Sequence, residues 1–153
     1  MYKRILVPFD GSAYSKRALA EATKIAQLTD ATIYICTVVT MDAIVPPGSL
    51  LGLVKSSSKG QLQKRLFNVA KTNAEKLLKS QISYCASKNV TAYYKLIVNG
   101  NTSEEILKTA KAKSVSLIVI GSQGLHGISR IKSLGSVSRK VSELAHCPVL
   151  IVR

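Results

Sequence analysis

Five short apolar runs, separated by stretches of helical periodicity, constrain this chain more than any other feature. They are residues 2–9 (YKRILVPF), 31–39 (ATIYICTVV), 91–98 (TAYYKLIV), 117–120 (LIVI) and 148–152 (PVLIV). Each is near-continuous rather than alternating, the pattern of strands buried on both faces. Between them lie residues 12–28, with Ala18, Leu19, Ala22, Ile25 and Ala26 on one face, and residues 61–88, with Leu62, Leu66, Val69, Ala70, Leu77 and Leu78 turned inward. Thr102-Ser-Glu-Glu105 reads as a capping box opening a helix that buries Ile106, Leu107 and Ala110, and a last helix spans residues 135–145. The order is β-α-β-α-β-α-β-α-β. Right-handed crossovers then leave an α/β fold, a doubly wound parallel sheet with helices on both faces.

Residues 40–60 break the rhythm with Pro46-Pro47-Gly48 and three successive serines, and are expected to form a long lid or contact loop. The final run is almost wholly apolar yet belongs at a sheet edge. An uncovered apolar edge invites pairing, so a homodimer through the C-terminal strand is expected.

The 153 residues fit one domain, and no apolar run is long enough to cross a membrane. The N-terminal apolar stretch is cut short by Pro8 and Asp10, unlike a signal peptide, which favours a cytoplasmic protein. Cys36, Cys85 and Cys147 are widely spaced and form no CxxC, so they read as reduced core thiols. The net charge of +14 attracts anions, whether nucleotides, nucleic acid or acidic surfaces. Aromatic residues make up only 5% of the chain, which leaves nucleic acid a possible partner but not the favoured one.

Open parallel sheets bind ligands at the carboxyl ends of their strands. Two sequences at that end stand out. Gly121-Ser-Gln-Gly124 follows the fourth strand, and Gly135-Ser-Val-Ser138 opens the last helix. Glycines allow close backbone approach, a helix start presents unpaired amides, and Ser136 and Ser138 add hydroxyls; together they suit a di- or triphosphate. The pattern is neither a Walker loop nor a dinucleotide fingerprint. Asp10, at the tip of the first strand, has two readings: a ligand for ribose hydroxyls or phosphate-bound Mg²⁺, or a cap for the helix beginning near Ser12. His126 sits in the glycine-rich loop, with Arg130 and Lys132 nearby. No catalytic constellation is visible, and nothing demands an enzyme.

The opening ILVPFDGSAYSKRALAEA, the closing GSVSRKVSELAHCPVLIVR and the glycine loop between them resemble the universal stress protein family over essentially the full length. The resemblance implies a Rossmann-like, five-stranded sheet of order 3-2-1-4-5 in a single domain spanning residues 1–153, dimerising through the last strand. It also implies an ATP-binding subgroup, marked by Gly-x-x-Gly, nine residues, then Gly-Ser/Thr. On that pattern Asp10 contacts ribose or metal, Pro8 borders the adenine pocket and Val38 meets adenine through its backbone. Gly121, Gly124, Gly135, Ser136, Val137 and Ser138 surround the phosphates and ribose. Here ten residues (LHGISRIKSL) separate Gly124 from Gly135, so a bulge near residues 129–133 is expected, with both glycine ends in place. The family also includes members without ATP binding, so the alternative is a dimeric stress protein acting through protein or polyanion contacts. Slow ATP hydrolysis is the most that is expected in the way of catalysis.

Overall fold

The computed structural model describes residues 1–44, 56–125 and 133–153. Five parallel strands, β1 (Arg4–Pro8), β2 (Thr32–Val39), β3 (Ala92–Val98), β4 (Leu117–Gly121) and β5 (Val149–Val152), form one sheet in the order β3-β2-β1-β4-β5. The helices are α1 (Ala13–Thr29), α2 (Met41–Ile44), α3 (Ser56–Ser87), α4 (Thr102–Ala112) and α5 (Ser136–Leu144).

Strand alternation sorts the core into two layers. Ile5, Val7, Ile33, Ile35, Leu117 and Val119 face α1 and α3, where they meet Ala18, Leu19, Ala22, Leu78 and Cys85. Leu6, Cys36, Ile97, Ile118 and Ile120 face the other way, toward Ile106 and Ala110 of α4 and Val141 of α5. The helices therefore cover both faces of the sheet. Burial of each such Leu or Ile contributes about 1.5–3 kcal/mol. Cys36 and Cys85 are buried, Cys147 is half-buried, and all three are free thiols. Burial pushes the Cys36 thiol up to about 12, against a small downward pull from Lys95.

Four expectations change in detail. Strand β3 is not buried on both faces: it is an edge strand, and Tyr93 is 57% exposed. Helix α3 starts at Ser56, earlier than its apolar periodicity suggests, and Leu62 and Val69 on its first half are exposed. Length explains this. Thirty-two residues of helix extend about 48 Å, whereas a seven-residue strand extends about 23 Å, so only part of α3 can lie on the sheet. The expected loop over residues 40–60 contains α2 and the beginning of α3; residues 45–55, with Pro46, Pro47 and Gly48, lie outside the described residues. Finally, the cap of α4 is Asn101 rather than Thr102: Asn101 Oδ1 accepts the Glu104 N–H at 3.2 Å. Among the described residues no helix is long and apolar enough to cross a membrane.

Candidate functional site

Because every strand runs the same way, the loops after β1, β2, β3 and β4 gather at one end of the sheet. Chain order reverses between β1 and β4, which lie side by side although their neighbours wind off in opposite directions. Such a reversal opens a crevice between the two strand ends, the customary ligand position in open α/β sheets. Asp10 stands on one side of it and the segment from Gly121 to Leu125 on the other.

The Asp10 carboxylate spans the crevice. Its Oδ1 accepts the Ser12 N–H at 2.9 Å, and its Oδ2 accepts the Leu125 N–H at 3.0 Å. The capping of α1 falls to Ser12, whose Oγ accepts the Ser15 N–H at 3.1 Å. Asp10 thus ties the β1 loop to the β4 loop and leaves the helix cap to its neighbour. Each carboxylate oxygen keeps a lone pair beyond these bonds. No cluster of three or more His, Cys, Asp or Glu side chains capable of holding a metal occurs among the described residues.

The glycines serve by lacking a Cβ, since neither Gly121, Gly124 nor Gly135 has a positive φ. A Cβ on Gly121 would lie 2.8 Å from the backbone carbon and the Cβ of Tyr14, so this glycine lets α1 pack against the end of β4. A Cβ on Gly124 would stand 2.8 Å from Asp10 Oδ2, inside the clasp just described. Gly135 is the N-cap of α5, in extended conformation and without a side-chain cap. By contrast, α1 and α4 are capped by the side chains of Ser12 and Asn101. The first-turn N–H groups of α5 have no partner within the helix, and the positive end of its dipole lies there.

The loop after β4 closes on itself. The carbonyl oxygen of Ser122 accepts the Gly135 N–H at 2.8 Å and the Ser138 hydroxyl at 2.9 Å, while Gln123 Nε2 donates to the Ser133 carbonyl at 3.1 Å. These bonds set the start of α5 beside the end of β4. Ser138 is buried, and its hydroxyl lies within reach of the Ser122 and Gly135 carbonyls. What it leaves for a phosphate is its backbone N–H rather than the extra hydroxyl donor expected from sequence. Ser136 is exposed and Val137 half-buried. His126, Arg130 and Lys132, and with them most of the expected bulge over 129–133, lie outside the described residues.

Pro8 ends β1 opposite Cys36, and Val38 sits in β2 opposite Ile97, half-buried against the α4 side of the core. Beside them, at the ends of β2 and β3, opens a cleft of about 500 Å³ lined by Thr40, Met41, Asp42 and residues 99–102. From sequence, residues 40–42 belonged to the expected lid or contact loop and residues 99–102 were only a strand-end connection. Their signal was Asn99-Gly100-Asn101: Asn99 and Gly100 both adopt positive φ, making the sharp turn that delivers Asn101 to its cap.

Comparison with known proteins adds a family and a fold. The family model described as the Universal stress protein family matches residues 1–153. Universal stress protein YxiE of Bacillus subtilis is 40% identical over 153 residues, the match covering all of both chains. Among solved structures, that of protein MJ0577 of Methanocaldococcus jannaschii superposes with a TM-score of 0.83 at 25% identity, covering 99% of this chain and 96% of its own. A universal stress protein from Archaeoglobus fulgidus, solved in complex with dAMP, superposes with a TM-score of 0.66 at 23% identity, covering 99% of this chain and 98% of its own.

Proposed function

The chain belongs to the universal stress protein family, and from that membership and its strand-end crevice we propose that it is an ATP-binding module of the stress response. The phosphates are held by backbone N–H groups at Gly124 and at Ser136, Val137 and Ser138. Asp10 takes the ribose hydroxyls or the water shell of a phosphate-bound Mg²⁺. The base lies over the ends of β1 and β2, next to Pro8 and the backbone of Val38.

The observation that carries this reading is the pair of hydrogen bonds that Ser122 O accepts from the Gly135 N–H and the Ser138 hydroxyl, which fixes a helix start without a side-chain cap at the topological switch point. The dAMP complex of a relative with the same fold supports an adenine nucleotide as the occupant. Two bonded ends also explain how the ten-residue spacing is compatible with binding, because the extra residue falls between them. In this reading the chain is a binding module, with ATP hydrolysis slow at most. A homodimer through β5 completes the proposal: among the described residues the strand pairs only with β4, and Leu150 is exposed on an apolar edge.

Isothermal titration with ATP and Mg²⁺ tests the binding claim. Saturable heat is expected for the wild type, and its loss in Gly124→Asp, which sets a second carboxylate against Asp10. Absence of heat at millimolar ligand, or a Gly124→Asp protein that binds as well as the wild type, would overturn it. Mass spectrometry of the purified protein for a retained adenine nucleotide gives an independent reading.

A further inference from the structure

A second cavity, of about 530 Å³, lies on the α4 side of the sheet toward the opposite end from the crevice, and its lining includes Tyr34 of β2, Tyr93 and Lys95 of β3, Thr109 of α4 and Lys113 just after it. Tyr34 and Tyr93 are register partners on adjacent strands, and their rings stack with centroids 5.9 Å apart at 28°. Tyr93 remains 57% exposed, so its ring offers open aromatic surface. The Lys113 Nζ sits 5.5 Å from the Tyr34 ring centroid. Lys95 shares the Tyr93 face of β3 by strand alternation.

Thr109 supplies the second observation. Two threonines of α1, buried Thr23 and half-buried Thr29, bond their hydroxyls back to the carbonyl four residues earlier, at Leu19 and Ile25, each at 2.8 Å. Thr109 does not. It is 3% exposed, it lines the cavity, and its Oγ1 has no hydrogen-bond partner. Buried polar atoms in folded proteins are nearly always satisfied, so an orphan in a cavity wall marks a place where something else supplies the bond.

Charge narrows the class of occupant. The described ion pairs are Lys24–Glu21, Lys79–Glu75, Lys108–Glu105 and Lys140–Glu104, and neither Lys95 nor Lys113 takes part. The cavity lies by the carboxyl end of α4, where the helix dipole disfavours anions. Any attraction for an anion must therefore come from these lysine side chains. We infer that this groove is a second ligand site, taking a small planar aromatic anion that stacks on Tyr93, places its acid group by Lys95 and Lys113, and bonds the Thr109 hydroxyl. Its size and make-up, aromatic walls with a few converging polar groups, are those of a small-molecule pocket.

Nuclear magnetic resonance titration of the full chain with naphthalene-2-carboxylate tests this, using naphthalene-2-methanol as the neutral analogue. A probe of this size is expected to bind with a dissociation constant of about 1 mM or tighter. Resonances of Tyr34, Tyr93, Thr109 and Lys113 should shift together. The alcohol should bind about tenfold more weakly, as the loss of a charge-assisted contact implies. Lys113→Gln should weaken the acid but not the alcohol, while Tyr93→Ala weakens both; Thr109→Val, close in shape, should fold and weaken both. ATP with Mg²⁺ should leave these resonances unmoved, whether or not it binds at the crevice. Three results would overturn the inference: shifts scattered over the surface and unchanged by the variants; tighter, salt-dependent binding of a twenty-nucleotide oligothymidylate at the same residues; or shifts that follow protein concentration alone, the mark of contact between two copies.

Discussion

The hydroxyl of Ser138 donates to the carbonyl oxygen of Ser122 at 2.9 Å, and the Gly135 N–H meets that oxygen at 2.8 Å. One carbonyl just past β4 thus holds the beginning of α5 by two bonds, across a loop of twelve intervening residues between Ser122 and Gly135. Ser138→Ala removes the side-chain bond but leaves the amide bond. The expected loss is about 1 kcal/mol, read as a melting temperature lower by about 2–4 °C for a chain of this size. Ser136→Ala, at an exposed position two residues earlier, should change stability by less than about 0.5 kcal/mol. Circular dichroism melts of the two variants check the contrast; equal melting temperatures would show that the Ser122–Ser138 bond stabilises nothing.

Gly124 and Asp10 are coupled by geometry, since a Cβ on Gly124 would fall 2.8 Å from Asp10 Oδ2, the atom that accepts the Leu125 N–H. Gly124→Ala should displace the carboxylate and break the clasp. In an Asp10→Ala background there is no carboxylate to strike, so the same substitution should cost less. A double-mutant cycle in urea is expected to give a coupling energy of about 1 kcal/mol or more. Additive effects would mean that the loop moves aside and that the close approach constrains nothing.

Much of this architecture was legible in the chain, for reasons that differ from element to element. The strands β1, β2 and β4 announced themselves because both their faces are covered, which leaves no polar alternation to blur the run. The strand-end positions of Asp10 and of the two glycine pairs were legible because each directly follows a strand or opens a helix, whereas the sequence offered Asp10 as a ligand or a helix cap and not as the clasp to Leu125. The exposed β3 face was not, because Tyr93 and Tyr94 look alike in sequence although one faces the α4 groove and the other reaches Glu75 of α3. Helix α3 misled because periodicity marks a face but not how much of that face the sheet is long enough to cover. The clasp of Asp10 to Leu125 joins residues 115 apart, and no local pattern encodes such a pair.

Strand β5 provides the expectation for assembly. Among the described residues Val149, Leu150, Ile151 and Val152 pair on one side only, with β4, and Leu150 is 39% exposed. If a second copy covers this edge, Leu150→Arg places a charge within the interface, where it has no partner. Sedimentation velocity should then show a dimer for the wild type and a monomer for the variant, with the variant's circular dichroism spectrum unchanged. A wild-type protein that sediments as a monomer throughout the micromolar range would remove β5 as a dimer edge.

Cys36 makes stability depend on pH in a definite direction. Burial is the main reason that its folded value rises from 9.0 to about 12, with Lys95 pulling weakly the other way. An acid whose folded value is raised is favoured in its neutral form by folding. Below pH 9 both states hold the proton and there is no pH dependence from this group. Between pH 9 and about 12 the unfolded chain ionises while the folded chain does not, so the unfolded state binds fewer protons and stability falls as pH rises. The slope from this one thiol is at most about 1.4 kcal/mol per pH unit. Lysines and tyrosines also titrate in that range, so the wild type alone is uninformative and the difference from Cys36→Ala is what counts. The variant starts less stable, having lost buried sulfur, but its urea midpoint should fall less steeply from pH 9 to 10.5. Parallel slopes for the two proteins would show that the thiol ionises as readily in the folded state as in the unfolded one.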